Sequence, residues 1–136
     1  MRQARAAGVK GELATISFVG TENLIADRGR DSEGVLISQV VPAPSDASQR
    51  LTREYQAALK KTAPTEAPSY VSFEGYVNGR VLLAALEKAG ADPSREKLVE
   101  ALNSTTSLDL DGMKLSFSVQ NHQASSAVFL TRVKGG

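Results

Sequence analysis

Two short apolar segments near the start of the chain, separated by a helical segment, place the strongest constraint on the fold. Residues 13–19, LATISFV, and 34–41, GVLISQVV, are apolar nearly throughout. Such segments are typical of strands that are covered on both faces, as in parallel sheets. Between them, Gly20 permits a tight turn, and Thr21 can cap a short helix that has Glu22 in its first turn. We therefore predict an α/β fold that begins β-α-β-α.

Helical segments dominate the middle of the chain. One helix starts at Asp46 or Ser48, and the next covers much of PSYVSFEGYVNGRVLLAALEKAG and ends at Gly90. Gly75 and Gly79 lie in that second helix, where each costs about 1 kcal/mol relative to alanine. They therefore predict a close approach by a neighbouring element. The apolar positions of the two helices are Leu51, Tyr55, Leu59, Phe73, Val77, Val81, Ala84 and Ala85.

The last third of the chain combines a helix with strands. The segment ADPSREKLVEALNS is predicted to be a helix capped by Asp92 or Ser94. The alternating segment LDLDGMKLSFS predicts a hairpin whose turn is Asp111-Gly112. Residues 126–133, SAVFLTRV, form the last predicted strand. The proline-bearing connection TAPTEAPS, before the long helix, is the predicted organisational break.

Composition excludes several classes of function. The 136 residues suffice for one compact domain, and 16 basic against 15 acidic side chains give a net charge of +1. This balance provides no attraction to nucleic acid or to anionic lipid. The chain has no cysteine and a single histidine, which excludes disulfides, zinc-thiolate sites and histidine-rich metal sites. No apolar run is long enough to span a bilayer, and we predict neither a metal nor a cofactor.

The sequence contains no recognisable catalytic motif. It lacks G-x-S-x-G, a phosphate-binding glycine-rich loop with lysine, and H-E-x-x-H. Asp109 and Asp111 could form an acid-base pair, but their place beside a turn favours solvation of that turn. His122 lies in a polar loop, where a structural or exposed histidine is the more common case.

Glu22 is the more informative carboxylate, because it follows the end of a predicted strand. Ligands of open α/β folds bind beyond the carboxyl ends of the strands. There, the carboxylate could accept the ammonium group of a small ligand. Alternatively, Glu22 only complements the dipole of its helix in water. Position alone favours this second interpretation.

The ordered set of segments resembles one family. Six segments carry the resemblance: QARAAGVKGELATISFVGTENL, EGVLISQVVP, REYQAALKK, PSYVSFEGYVNGRVLLAALEKAG, REKLVEALNS and LDLDGMKLSFSVQNHQASSAVFLTRV. Together they are similar to the solute-binding proteins of branched-chain amino-acid ABC transporters. The resemblance implies a Rossmann-like, three-layer fragment of the periplasmic-binding-protein type I fold, with parts of both lobes. Such proteins hold a small solute between two lobes joined by three chain crossings, deliver it to a permease, and are not enzymes.

The resemblance also implies site residues. The glutamate that receives the ammonium group in the amino-acid binders corresponds to Glu22 in FVGTEN, which places Gly20 and Thr21 in the same ligand-binding turn. An aromatic residue at a lobe crossing packs on the apolar side chain of the ligand, and it corresponds to Tyr70 or Phe73. The ligand is expected to be a branched-chain or similar amino acid, or another small solute.

By the same resemblance, the chain is expected to be a carboxy-terminal fragment. Its first residues, MRQARAAGVKGEL, are typical of the closing turns of a helix and are not a signal peptide. Residues 1–66 would belong to the second lobe, and residues 67–136 to the crossover and the first lobe. An apolar surface would then be left uncovered, so we expect a homodimer of the fragment. A periplasmic location follows from the resemblance alone.

Two other functions stay open at this point. The first is a ligand-sensing regulatory domain of the same fold, which would need no transporter. The second is a small α/β enzyme, which is disfavoured because no nucleophile-base pair is visible.

Overall fold

The chain alternates strands and helices and then closes with a hairpin and a last strand. A computed structural model describes residues 1–134. Its helices are α1 (Arg2–Ala6), α2 (Thr21–Arg28), α3 (Arg50–Thr62), α4 (Tyr70–Ala89) and α5 (Arg95–Asn103). Its strands are β1 (Ala14–Ile16), β2 (Leu36–Gln39), β3 (Leu108–Leu110), β4 (Met113–Leu115) and β5 (Phe129–Arg132). The predicted α/β class is confirmed, and none of the helices in the described part is both long and apolar enough to cross a membrane.

Three strands form the main sheet, in the order β1-β2-β5. β1 and β2 are parallel, with Ile16 opposite Ser38, whereas β5 runs antiparallel to β2, with Leu130 opposite Ser38. The predicted strand 13–19 is too long: Ser17–Val19 winds into a 3-10 turn. The amide of Gly20 closes that turn by donating to the Ser17 carbonyl at 2.9 Å. The chain thus leaves the sheet after only three strand residues.

Two apolar clusters hold the structure together. We call the first the sheet cluster; its buried members are Leu24, Val35, Ile37 and Val133. We call the second the helical cluster; its buried members are Val41, Leu51, Tyr55, Phe73, Val77, Leu110 and Leu115. The predicted stripe of α3 is confirmed, because Leu51 and Tyr55 are buried and Leu59 packs against them. The predicted hairpin is confirmed as β3-β4, and its strands supply Leu110 and Leu115.

The predicted division of the chain at residue 66 remains a prediction. The apolar packing crosses this residue and groups the elements differently. Tyr55 of α3 and Phe73 of α4 lie on opposite sides of residue 66 and share the helical cluster. β5, at the other end of the chain, pairs with β2 and shares the main sheet. The sheet is therefore built from both ends of the chain, and the helical cluster from its middle.

Most predicted helix ends agree with the structure. α2 ends at Gly29, α4 ends at Gly90, and the Ser94 side chain caps α5 by accepting from the Lys97 amide at 3.2 Å. The start of α3 was predicted too early. The carboxylate of Asp46 instead accepts from the Ser48 amide at 3.1 Å and from its hydroxyl at 2.6 Å, which forms a turn before the helix begins at Arg50.

The close approach predicted at Gly75 and Gly79 is absent from the described residues. A Cβ built on either glycine meets no atom within 4 Å. Both glycines lie on an exposed face of α4, and Leu82 and Leu83 nearby are exposed as well. The prediction was wrong because α4 packs through the Phe73 side of the helix, which leaves the glycine side open.

A network of charged side chains ties α3 and α4 to the hairpin turn. Arg80 donates to Glu54 at 2.7 Å and to Asp111 at 3.4 Å. Arg50 lies 3.0 Å from the Glu54 carboxylate and 3.1 Å from that of Asp111. Asp109 does not join the network, because its carboxylate accepts from the Gly112 amide at 2.7 Å within the turn. Asp109 therefore serves the turn, as predicted, whereas Asp111 serves the ion network between the helices, which was not predicted.

Candidate functional site

The carboxyl ends of β1 and β2 meet at one edge of the main sheet, because these two strands are parallel. Gly20 to Glu22 follow the end of β1, and Gln39 is the last residue of β2. In open α/β sheets this edge is where ligands bind. The predicted turn residues therefore lie at the edge that the fold offers to a ligand.

Gly20 brings this turn against the start of α4. Its φ of 70° lies in the left-handed region, and it occupies the N-cap of α2, a place predicted for Thr21. A Cβ at Gly20 would lie 3.5 Å from Cγ2 of Val71 and 3.2 Å from Nδ2 of Asn23. A side chain at this position would be strained by the positive φ and would press on the Asn23 amide, whereas its distance to Val71 of α4 would be an ordinary contact.

Glu22 and Tyr70 come together at this contact. Glu22 is exposed in the first turn of α2, and its side chain makes no hydrogen bond or ion pair within residues 1–134. Burial and, to a smaller extent, the negative charge of Glu22 raise the pKa of the Tyr70 phenol. Tyr70 is half-buried and packs against the helical cluster. An acid of α2 and an aromatic ring of α4 are thus near enough to interact electrostatically.

Phe73 lies elsewhere, in the centre of the helical cluster. Its exposed fraction is 0%, and its ring stacks on Tyr55 at 4.5 Å between centroids with an interplanar angle of 15°. A ring without exposed surface offers nothing to a ligand. Of the two aromatic residues predicted for the site, the structure therefore favours Tyr70, and Phe73 is a core residue.

Gln39 also lies at this edge of the sheet, and the sequence analysis did not single it out. Its side-chain amide donates to Oγ1 of Thr21 at 2.9 Å and to Oγ1 of Thr131 at 3.3 Å. The three side chains connect the turn after β1, the end of β2 and the middle of β5. A long polar side chain at the end of an otherwise apolar strand, as in LISQVV, was the signal that could have indicated it.

His122 lies away from the turn that carries Gly20, Thr21 and Glu22. It is exposed, and its Nε2 is 3.1 Å from Oδ1 of Asn103. It also lines a cavity of about 330 Å³ between α4 and the hairpin, together with Glu74 and Asn78. Within the described part of the chain, no three histidine, cysteine, aspartate or glutamate side chains are grouped as metal ligands would be.

A family model described as "Periplasmic binding protein" matches residues 1–136. The chain belongs to the periplasmic binding protein family. This confirms the resemblance noted in the sequence, and periplasmic binding proteins as a family bind solutes outside the cytoplasm and are not enzymes. None of the curated proteins matches the chain.

Solved structures of periplasmic binding proteins share the fold. A possible leucine/isoleucine/valine-binding protein from Rhodopirellula baltica is 33% identical, with a TM-score of 0.85 over 96% of this chain and 36% of that one. A substrate-binding periplasmic protein from Ralstonia solanacearum is 27% identical, with a TM-score of 0.83 over 97% of this chain and 38% of that one. A leucine binding protein from Thermotoga maritima is 26% identical, with a TM-score of 0.76 over 98% and 37%.

The chain spans little more than a third of the length of these periplasmic binding proteins. Its predicted fold, a fragment of the type I periplasmic-binding-protein architecture, is confirmed by these matches.

Proposed function

We propose that the chain is the carboxy-terminal part of a solute receptor that captures a branched-chain or similar amino acid for delivery to an ABC transporter permease. The observation that carries the proposal is the position of Glu22, an exposed acid without a partner in the described residues, beyond the carboxyl ends of the parallel strands and near the start of α4, which bears the half-buried ring of Tyr70. The receptor works outside the cytoplasmic membrane and does no chemistry on its ligand.

The two clusters suggest how the lobes divide. We propose that the main sheet with α1 and α2 belongs to one lobe, and that α3, α4, α5 and the hairpin belong to the other. This assignment replaces a single boundary at residue 66 with two crossings, one after β2 and one before β5. Glu22 and Tyr70 then lie on different lobes, so a ligand that contacts both would favour their closed arrangement.

The chemistry of the two side chains fits an amino acid. The Glu22 carboxylate would accept a charge-assisted hydrogen bond from the ligand's ammonium group. The ring of Tyr70 would cover the ligand's apolar side chain and keep water from it. Neither contact breaks or forms a covalent bond, which agrees with a binding protein rather than an enzyme.

Binding by the chain itself should be weak. It supplies one acid and one ring of a site that its relatives build from a chain nearly three times as long. A dissociation constant of about 1 mM corresponds to roughly −4 kcal/mol, and we expect L-leucine to bind with a constant of about this size. Micromolar binding measured by calorimetry would contradict this half-site argument.

Titration with L-leucine, followed by amide chemical shifts of the ¹⁵N-labelled chain, tests the proposal. Shifts should concentrate at residues 20–22 and 70–71, and Glu22→Gln should weaken the apparent affinity about tenfold, because an amide cannot neutralise an ammonium group. Glu87→Gln is the matched control, since Glu87 is an exposed glutamate near the far end of α4. Equal affinities of Glu22→Gln and Glu87→Gln, or no shifts up to 50 mM (about fifty times the expected constant), would refute the proposed site.

We also propose that the isolated chain forms a homodimer through the outer face of the main sheet. Ile16 and Leu130 lie on this face, one on each side of Ser38, and are 55% and 71% exposed. Parallel strand pairs are normally covered on both faces, so a second copy would cover what this chain leaves open. Light scattering at increasing concentration should show a dimer, and Ile16→Lys with Leu130→Lys should abolish it. A strictly monomeric profile of the parent chain at high concentration would count against it.

A further inference from the structure

We infer that Gln39 is a positioning residue of the candidate site. Its side-chain amide holds the Thr21 oxygen as an acceptor and so leaves the Thr21 hydroxyl proton free to be donated to a carboxylate or carbonyl oxygen of the ligand. This inference rests on the proposed function and adds a hydrogen-bond donor, next to the acid Glu22, for a ligand that carries both charges.

The hydrogen bonds around Gln39 determine which way its amide points. The Thr131 hydroxyl donates its one proton to the Ile37 carbonyl at 3.2 Å, so towards Gln39 it can only accept. The amide nitrogen of Gln39 therefore faces Thr131 at 3.3 Å, and its other proton reaches Thr21 Oγ1 at 2.9 Å. Both amide protons are used, and both acceptors are threonine oxygens.

Thr21 is left with a proton and no acceptor for it. Its hydroxyl donates to nothing in residues 1–134, and the residue is half-buried at the ligand edge of the sheet. Its neighbour Glu22 can only accept when ionised, whereas this hydroxyl can donate. A zwitterionic ligand such as an amino acid offers the complement of both groups.

The amide oxygen of Gln39, Oε1, indicates that this glutamine is not present for the stability of the fold. Gln39 is 1% exposed, and its Oε1 is buried without a hydrogen-bond partner in the described residues. A buried acceptor without a partner destabilises the folded state, and an apolar side chain of the same length avoids that cost. The glutamine is therefore better explained by what its nitrogen does for Thr21 than by what the residue does for the core.

The test compares Gln39→Met, Thr21→Val, Thr21→Ser and the double variant Gln39→Met/Thr21→Val, with L-leucine as the probe. Gln39→Met should keep or raise the urea midpoint of unfolding, yet weaken the leucine affinity three- to tenfold. Thr21→Val should weaken it equally, Thr21→Ser should retain the affinity, and the double variant should show no further loss. Losses that multiply in the double variant, or a lower urea midpoint with unchanged affinity, would overturn the inference.

A measurement without ligand covers the case in which a variant binds too weakly to compare. Three-bond couplings to Cγ2 of Thr21 should report a single χ1 rotamer in the parent chain and averaging in Gln39→Met and in Thr131→Val. A single rotamer in both variants would overturn the inference. The proposed function fails separately: if Glu22→Gln leaves leucine affinity unchanged, the function is wrong, whereas if only the Gln39 and Thr21 variants leave it unchanged, the positioning role alone is wrong.

Discussion

Replacing Phe73 with alanine is expected to lower the free energy of unfolding by about 3–5 kcal/mol, the usual cost of removing a fully buried phenylalanine ring. The ring has no exposed surface, and it stacks on Tyr55 at 4.5 Å. Tyr55 in turn donates to the Ser69 carbonyl at 3.3 Å and lies 2.6 Å from the Ser72 hydroxyl. The change would therefore open a cavity and loosen the start of α4, and urea unfolding followed by circular dichroism measures it.

The same measurement decides between two roles for Phe73. Phe73→Leu should cost no more than about 1.5 kcal/mol, because it nearly conserves the buried volume. Tyr70→Ala is the comparison within the same helix turn and should cost clearly less than Phe73→Ala, since Tyr70 is only half-buried. If Phe73→Ala were as stable as the parent chain, the ring would not be the core residue described above, and the ligand-binding role predicted from the sequence would regain its place.

Replacing Arg80 with methionine is expected to cost about 2 kcal/mol at pH 7, more than a surface ion pair, because two carboxylates lose a shared partner. Arg80 donates to Glu54 at 2.7 Å, to the Tyr76 hydroxyl at 3.1 Å and to Asp111 at 3.4 Å. Methionine keeps the apolar part of the side chain, so the loss reports the charge. Lys88→Met, on the last turn of α4, is the control, and an equal effect of the two variants would contradict the role of the network.

The effect should depend on pH in a definite direction. Hydrogen bonds from Arg80 and then from Arg50 hold the pKa of the Glu54 carboxyl below its ordinary value of 4.5. A lowered pKa contributes stability that is fully present above the ordinary value and is lost as the pH falls through the lowered value. The difference between the parent chain and Arg80→Met should therefore shrink between pH 5 and pH 2.5 in urea unfolding, and a constant difference would contradict the mechanism.

Much of the fold follows from local patterns. The stripe of Leu51, Tyr55 and Leu59, the stop at Gly90 and the Asp111-Gly112 turn all depend on neighbours in sequence, and the structure confirms each. What the sequence could not supply is the partner of each element. Within residues 1–134, the residues after Ile16 resemble a strand but wind into a 3-10 turn, and Gly75 and Gly79 resemble a packing site but have no neighbouring atom within 4 Å of a built Cβ.

The residues of the candidate site also differ in how far local sequence indicates them. Glu22 could be proposed from the sequence because it follows a predicted strand and the family resemblance implies a role for it, and that role stays a prediction. The sequence marks Gln39 only as an unusual polar residue at the end of an apolar strand, because its hydrogen-bond partners Thr21 and Thr131 lie 18 and 92 residues away in the chain. Phe73 and Tyr70 are three residues apart and both aromatic, so only burial separates a core ring from a ring that can reach a ligand.

The pairing of β2 with β5 makes the sheet depend on everything between them. Closing a flexible loop of about 90 residues costs roughly 4 kcal/mol in chain entropy, but a folded middle segment already holds its two ends near each other. Damage to the helical cluster should therefore reach the sheet, and Phe73→Ala should speed hydrogen exchange at the β5 amides as well as in α4. In this molecule the packing of the middle determines how firmly the two ends of the chain are joined, and with them the edge of the sheet that carries Glu22.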